Sequence, residues 1–315
     1  SFRYFYKKTL INFHIPKSPT RHAAIPCTLG FSLFTWLGFQ SKLSAEDELI
    51  LTIKHCILFI QRLEYDKAEQ LLHVALRQAQ QIHHEHGITY IYDVMANLAL
   101  EREQLDKAKQ LFVAVTQRIM ADGAKEDDPR VVHLSIKLAR VSHLKKEHST
   151  AQLGYDWCLE KLYKAAGSNS SEDTTKMLAI AEDWYGRLCL DCNKLEEGLK
   201  FMVNALEHMQ TVSDVGQEHI VIQLNDIGTV CSQLDRTDES IAYFQQAVQI
   251  GKQVPEMEDL GIMYVNLGRA YLKKQMIDEA RKSCGYGWKL GYQASNKEIK
   301  EEAEKCIKEV RSMTR

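Results

Sequence analysis

The stretch "ITYIYDVMANLALEREQLDKAKQLF", residues 88–112, decides the fold. Two alanines, Ala96 and Ala108, stand twelve residues apart, with Phe112 four residues and Val115 seven residues beyond the second. Two antiparallel helices cross closely only where the facing side chains are small, and a large side chain one turn on fills the space beyond the crossing. The stretch therefore reads as a helical hairpin. A polar cluster, Tyr90, Tyr92, Asp93 and Asn97, shares its first helix.

The same spacing recurs along the chain. Small pairs twelve apart are Cys56/Ala68, Ala96/Ala108, Ala139/Ala151, Gly186/Gly198, Gly228/Ser240 and Gly268/Ala280. Four residues after each second member come Leu72, Phe112, Tyr155, Met202, Phe244 and Cys284, and seven after come Ala75, Val115, Cys158, Ala205, Ala247 and Gly287. Self-similarity of this kind is the tetratricopeptide pattern, so the fold expected is all-α, a tetratricopeptide-repeat superhelical solenoid of six helical hairpins. Asp66, Asp106, Ser149, Glu196, Asp238 and Asp278 fall at the start of each second helix, where they can cap free N–H groups and meet the dipole. Second-helix small sites lie 40, 43, 47, 42 and 40 residues apart, longer than the usual repeat of about 34. The second helices run on because no proline stops them. Breaks come later, at "ADGAKEDDP", "GSNSSED" and "KQVPEMED", with Asp128–Pro129 as N-cap and first helical residue. "SNKEIKEEAEKCIKEVRSM", residues 295–313, reads as a charged capping helix that closes the stack. The solenoid is assigned to residues 44–315.

Residues 1–43 differ in kind. They hold six basic residues (Arg3, Lys7, Lys8, Lys17, Arg21, Lys42), many aromatics and no acid. That is the composition of a mitochondrial targeting segment. Ala23 to Phe39 is uncharged for 17 residues, the lower limit for a membrane span, and contains Pro26 and Gly30. A cleaved leader, a retained inner-membrane anchor and an apolar segment packed on the domain are all compatible with it. The remainder carries a net charge of −8 with both signs interspersed, so no basic stripe suits nucleic acid. Eight dispersed cysteines do not make a disulfide scaffold and fit a reducing compartment.

Motifs for catalysis are missing. No phosphate loop, nucleophile elbow or dinucleotide glycine motif is present, and no cofactor is implied. "HHEHG" (His83, His84, His86) lacks H-E-x-x-H spacing, and its adjacent histidines point to different helix faces. "CLDC" (Cys189, Cys192) is a single pair where zinc needs four ligands, and Cys189 falls at a structural repeat position three residues after the glycine, as Cys231 does one repeat later. A metal-dependent peptidase subunit built on the histidines is the reading from a different functional class.

The first helices of such hairpins line a groove. Tyr90, Asp93, Asn97 and Glu101 fall three to four residues apart on one helix face. Equivalent positions give Ile136, Arg140 and His143, then Asp183, Arg187 and Asp191, then Asn225 and Thr229, then Val265, Arg269 and Lys273. Of these, Arg140, His143, Asp183, Arg187, Asn225, Arg269 and Lys273 join the first four as candidate partner contacts. They form either a solvated face or a surface for a peptide or partner helix. The Lys/Asn carboxylate clamp of heat-shock adaptors is not reproduced at Asp93/Asn97, Ile136/Arg140 or Asp183/Arg187.

"ITYIYDVMANLALEREQLDKAKQLF" (88–112), "LSIKLARV" (134–141) and "AQLGYDWCLEKL" (151–162) together resemble the mitochondrial tetratricopeptide repeat protein 19 family. The resemblance covers residue 48 to about residue 310. It implies a non-catalytic, inner-membrane-associated factor for respiratory complex III. The family role is to help clear fragments of the Rieske iron–sulfur subunit, so the implied partners are complex III subunits, the Rieske protein among them. A cytosolic cargo adaptor resembling kinesin light chain is the alternative binding protein, and the acid-free N-terminus argues against it.

Overall fold

A computed structural model describes residues 44–169, 171–255 and 257–314. Residues 1–43, where a targeting segment and its apolar stretch are expected, lie outside these residues. Among the described residues there are thirteen helices and no strand, as six hairpins and a closing helix require. The chain gathers into two compact units that divide after Glu126, inside the "ADGAKEDDP" break. The first contains two hairpins. They are α1 (Ala45–Gln61) with α2 (Tyr65–Gln81), and α3 (Glu85–Glu101) with α4 (Leu105–Ala121). The second contains α5 (Pro129–Leu144) with α6 (His148–Asn169), α7 (Glu172–Asp191) with α8 (Leu195–Thr211), α9 (Gln217–Gln233) with α10 (Thr237–Gly251), and α11 (Leu260–Lys273) with α12 (Ile277–Gln293). It ends in α13 (Lys297–Met313). Within this unit each helix packs on the next, and α5 on α7, α9 on α11 and α11 on α13 meet as well.

Why the twelve-residue spacing never varies is visible at the turns. Every hairpin is closed by the same three-residue link, whose middle residue is left-handed: Leu63, Glu103, Lys146, Asn193, Asp235 and Gln275, with φ between 57° and 64°. In the first, Leu63 N–H donates to Ile60 O (3.0 Å) and Glu64 N–H to Phe59 O (2.9 Å), which satisfies carbonyls the helix end leaves open. A fixed turn gives a fixed crossing. Links between hairpins are less uniform. Ser44, Asp128, Ser171 and Asn296 cap α1, α5, α7 and α13 through their side chains, and Pro129 opens α5.

All twelve small crossing residues are buried, as are the residues four and seven beyond the second member of each pair. At Gly186 and Gly198 the helices approach so closely that a Cβ on either would stand 3.0 or 2.9 Å from the other's carbonyl oxygen. Ser240 Oγ donates to Gly228 O (2.8 Å) across its own crossing. The large residue of the third hairpin also does what its place requires: Tyr155 stacks on Tyr185 of the next hairpin, with ring centroids 5.6 Å apart.

Two expectations need correction. The acidic residues at the starts of the second helices are not the N-caps: those of α2, α4, α8, α10 and α12 are Glu64, Gln104, Lys194, Arg236 and Met276, none of which caps through its side chain. The acidic residues sit inside the first turn. There Asp66, Glu196 and Asp238 pair with a basic residue of the following turn, Arg102, Arg236 and Lys274 respectively. The cysteines are not all small hydrophobes either. Cys284 is joined to Cys306 by a disulfide, and Cys192 is exposed at the end of α7, 3.3 Å from His148 Nδ1.

Candidate functional site

In the first unit, Asp93 and Asn97 are buried on α3, one helical turn apart. Asn97 turns back on its own helix and donates from Nδ2 to Asp93 O (2.7 Å). Tyr90 and Tyr92 both pack partly buried against the core cluster that includes Leu72, Ile88 and Ile91. Burial, followed by the Asp93 charge, pushes the Tyr90 phenol above its ordinary range. Glu101 is half-buried and accepts from Tyr65 OH (3.1 Å), linking the two hairpins. The polar cluster of residues 90–101 is thus built into the packing rather than spread over an open face.

In the second unit, the equivalent residues form contacts between successive first helices. On α5, Arg140 and His143 are 6% and 3% exposed. Arg140 Nη1 lies 2.9 Å from His143 Nδ1, and His143 Nε2 lies 3.0 Å from Asp191 Oδ2 of α7. A guanidinium can only donate. His143 Nδ1 is therefore the acceptor, the proton sits on Nε2, and the ring is neutral. Its pKa agrees: burial first, and then the Arg140 charge, push it down to about 4, against the pull of Asp191. Lys146 also reaches Asp191 (3.4 Å), and the Arg140 guanidinium lies 5.7 Å from the Trp184 ring centroid.

One hairpin further on, Asp183 is fully buried and Arg187 is 6% exposed. Arg187 Nε lies 3.0 Å from both Asp183 carboxylate oxygens, one turn back on α7. Its Nη2 reaches Asp226 Oδ2 (3.0 Å) and Gln223 Oε1 (3.4 Å) on α9. Gln223 Nε2 then donates to Met202 O (3.0 Å). Burial alone would lower the Arg187 pKa, but the Asp183 and Asp226 carboxylates hold it above its ordinary value. Asn225 accepts from Asn266 Nδ2 of α11 (2.9 Å). Lys273 donates to Ser232 O (2.7 Å), and Arg269 pairs with Glu302 of α13 (2.9 Å). A polar ladder therefore runs α5–α7–α9–α11–α13.

Of the eleven residues placed on the groove face, Asp93, Asn97, Arg140, His143, Asp183, Arg187 and Asn225 are buried. Tyr90, Glu101 and Arg269 are half-buried, and Lys273 is exposed. Sequence reasoning placed Asp191 on this face but missed Gln223, Asp226, Asn266 and Glu302, the partners on the neighbouring helices. Asp191 was legible because it lies four residues beyond Arg187 on the same helix face. Sequence patterns within one helix carry no mark of which residue on the next helix will stand opposite.

The histidine cluster does not converge. His83 occupies a turn with φ of 51°, His84 caps α3 by accepting from Gly87 N–H (2.8 Å), and His86 is exposed. No group of three His, Cys, Asp or Glu among the described residues is arranged to hold a metal. No helix among them is long and apolar enough to cross a membrane.

Comparison with known proteins agrees with the architecture. A tetratricopeptide repeat family model matches residues 218–283. In solved structures, an ATPase with a tetratricopeptide repeat sensor from Pyrococcus horikoshii superposes with a TM-score of 0.62 at 14% identity, over 84% of this chain and 37% of that one. A putative kinesin light chain from Podosopora anserina superposes with a TM-score of 0.52 at 13% identity, over 64% of this chain and 94% of that one. Both likenesses are of fold alone. Sequence relatives say more. The human mitochondrial tetratricopeptide repeat protein 19 is 29% identical over 75% of this chain and 65% of its own length. Its Drosophila melanogaster homologue, also named mitochondrial, is 35% identical over 274 residues, spanning 87% of this chain and 74% of that protein. An identity of that extent covers both units, and the chain belongs to the tetratricopeptide repeat protein 19 family.

Proposed function

We propose that this chain is a non-catalytic protein-binding member of its family. It would work at the mitochondrial inner membrane to support respiratory complex III, including clearance of Rieske iron–sulfur subunit fragments. Family membership carries the reading, resting on 35% identity to a relative named mitochondrial across most of both chains. The polar ladder supports the binding role in a specific way. Its buried part fixes the spacing of the first helices in the second unit. Its outer members, Lys273 and half-buried Arg269, remain accessible to a partner. In the first unit Tyr90 and Glu101 are half-buried, and Glu101 stands at the repeat position of Lys273. Charged and amphipathic groups held on rigid helices suit recognition of an extended peptide or a partner helix.

The test is capture from detergent-solubilised mitochondrial membranes with the tagged chain, with subunits identified by mass spectrometry. Complex III subunits should be enriched over an untagged control, and Lys273→Glu should reduce their recovery. Recovery of other membrane complexes without complex III would end the specific assignment and leave the fold untouched.

A further inference from the structure

We propose that the Cys284–Cys306 bond forms as α13 docks, and that the second unit therefore folds where a dithiol oxidant is at hand. The two Cα atoms are 5.8 Å apart, inside the range of about 4.4–6.8 Å that a disulfide spans. Both residues are fully buried. Cys306 belongs to the buried stripe of the closing helix, with Ile299, Ala303 and Val310. A third helix makes the room. A Cβ on Gly268 of α11 would stand 2.6 Å from Cys284 Sγ and 3.2 Å from Cys306 Sγ, so only glycine leaves space for both sulfurs. The bond ties the last hairpin to the helix that closes the stack.

Burial sets the order of events. Disulfide exchange needs a thiolate to meet an incoming disulfide in line, and no oxidant reaches a fully buried pair. Oxidation therefore accompanies docking rather than following it. Two thiols lose two protons and two electrons to a disulfide-bearing protein or small molecule, which leaves as the dithiol, and one S–S bond remains. Cys56, Cys158, Cys189 and Cys231 are buried free thiols in the same chain. A compartment that keeps thiols reduced would leave Cys284 and Cys306 as thiols. The inference concerns where the chain folds and is independent of the complex III assignment.

The test uses native protein, acid-quenched directly from source cells. Free thiols are blocked in denaturant with N-ethylmaleimide. The protein is then reduced and labelled with a second, heavier maleimide, and labelled peptides are mapped by mass spectrometry. The heavy label should appear on Cys284 and Cys306 together, and Cys306→Ser should leave Cys284 carrying the light label. Light label on both in the native protein overturns the proposal, as does heavy label confined to other cysteines. Because the decisive reading is taken on unaltered protein, poor folding of Cys306→Ser cannot obscure it.

Discussion

Replacing Arg187 with methionine is the sharpest probe of the ladder. The substitution nearly conserves volume and keeps the aliphatic stem, so packing changes little. What it removes is charge. Asp183 is fully buried and faces Arg187 Nε at 3.0 Å through both oxygens. At an effective dielectric constant of about 20, two unit charges that close attract by about 5 kcal/mol. Asp183 would keep its desolvation cost and lose its counter-ion, and breaking a buried pair from one side costs about 3–5 kcal/mol. The expected loss is therefore about 3–5 kcal/mol, with Gln223 and Asp226 each losing one partner as well. The double variant Asp183→Leu with Arg187→Met removes the stranded carboxylate and should recover most of that loss. Urea unfolding followed by circular dichroism gives the total. Amide exchange in α7 and α9 localises it, because repeat proteins open by neighbouring units. A single variant that costs less than about 1 kcal/mol, or a double variant no better than the single, would refute the argument that charge pairing holds these helices in register.

Gly228→Leu should destabilise the second unit by about 3 kcal/mol, the upper end of overpacking. Even its Cβ would stand 2.8 Å from Phe244 Cε1, and an unchanged melting temperature would count against the crossing. His143→Gln should flatten the acid limb of stability. The folded pKa of about 4 lies below the ordinary 6.5, so the unfolded chain takes up the proton first and stability falls as pH drops through that window. Over pH 7 to 5 the wild type should lose about 2 kcal/mol more than the variant, and equal losses in paired urea titrations would contradict a neutral, buried ring. Gln275→Gly should raise stability by about 0.5–1 kcal/mol, since its φ of 60° favours glycine. A lower urea midpoint would show that the side chain contributes more than its backbone costs.

The fold was legible because its defining constraint is local. Ala96, Ala108 and Phe112 answer to one crossing whose geometry is set by one three-residue turn, so spacing alone reveals them. The site was half legible for the opposite reason. A period of three to four residues placed Arg140, His143, Asp183 and Arg187 on one helix face, and they do share it. Nothing in that period distinguishes a face turned to solvent from one turned to the next helix. What decides is the neighbour: Asp191 opposite His143, Asp226 opposite Arg187 and Glu302 opposite Arg269, each 33 to 48 residues from its partner. Charge and burial together show why such residues persist on an inner face. A buried Arg–Asp pair adds little net stability over a well-packed apolar pair, yet it forbids a one-turn slip that would strand both charges. In a stack where every hairpin resembles the next, apolar crossings alone leave neighbouring helices free to settle in adjacent registers. The buried polar contacts remove that freedom. They set the positions at which outer residues such as Lys273 and Arg269 are held for a partner, so the buried part of the ladder acts on binding through register and its outer members through contact.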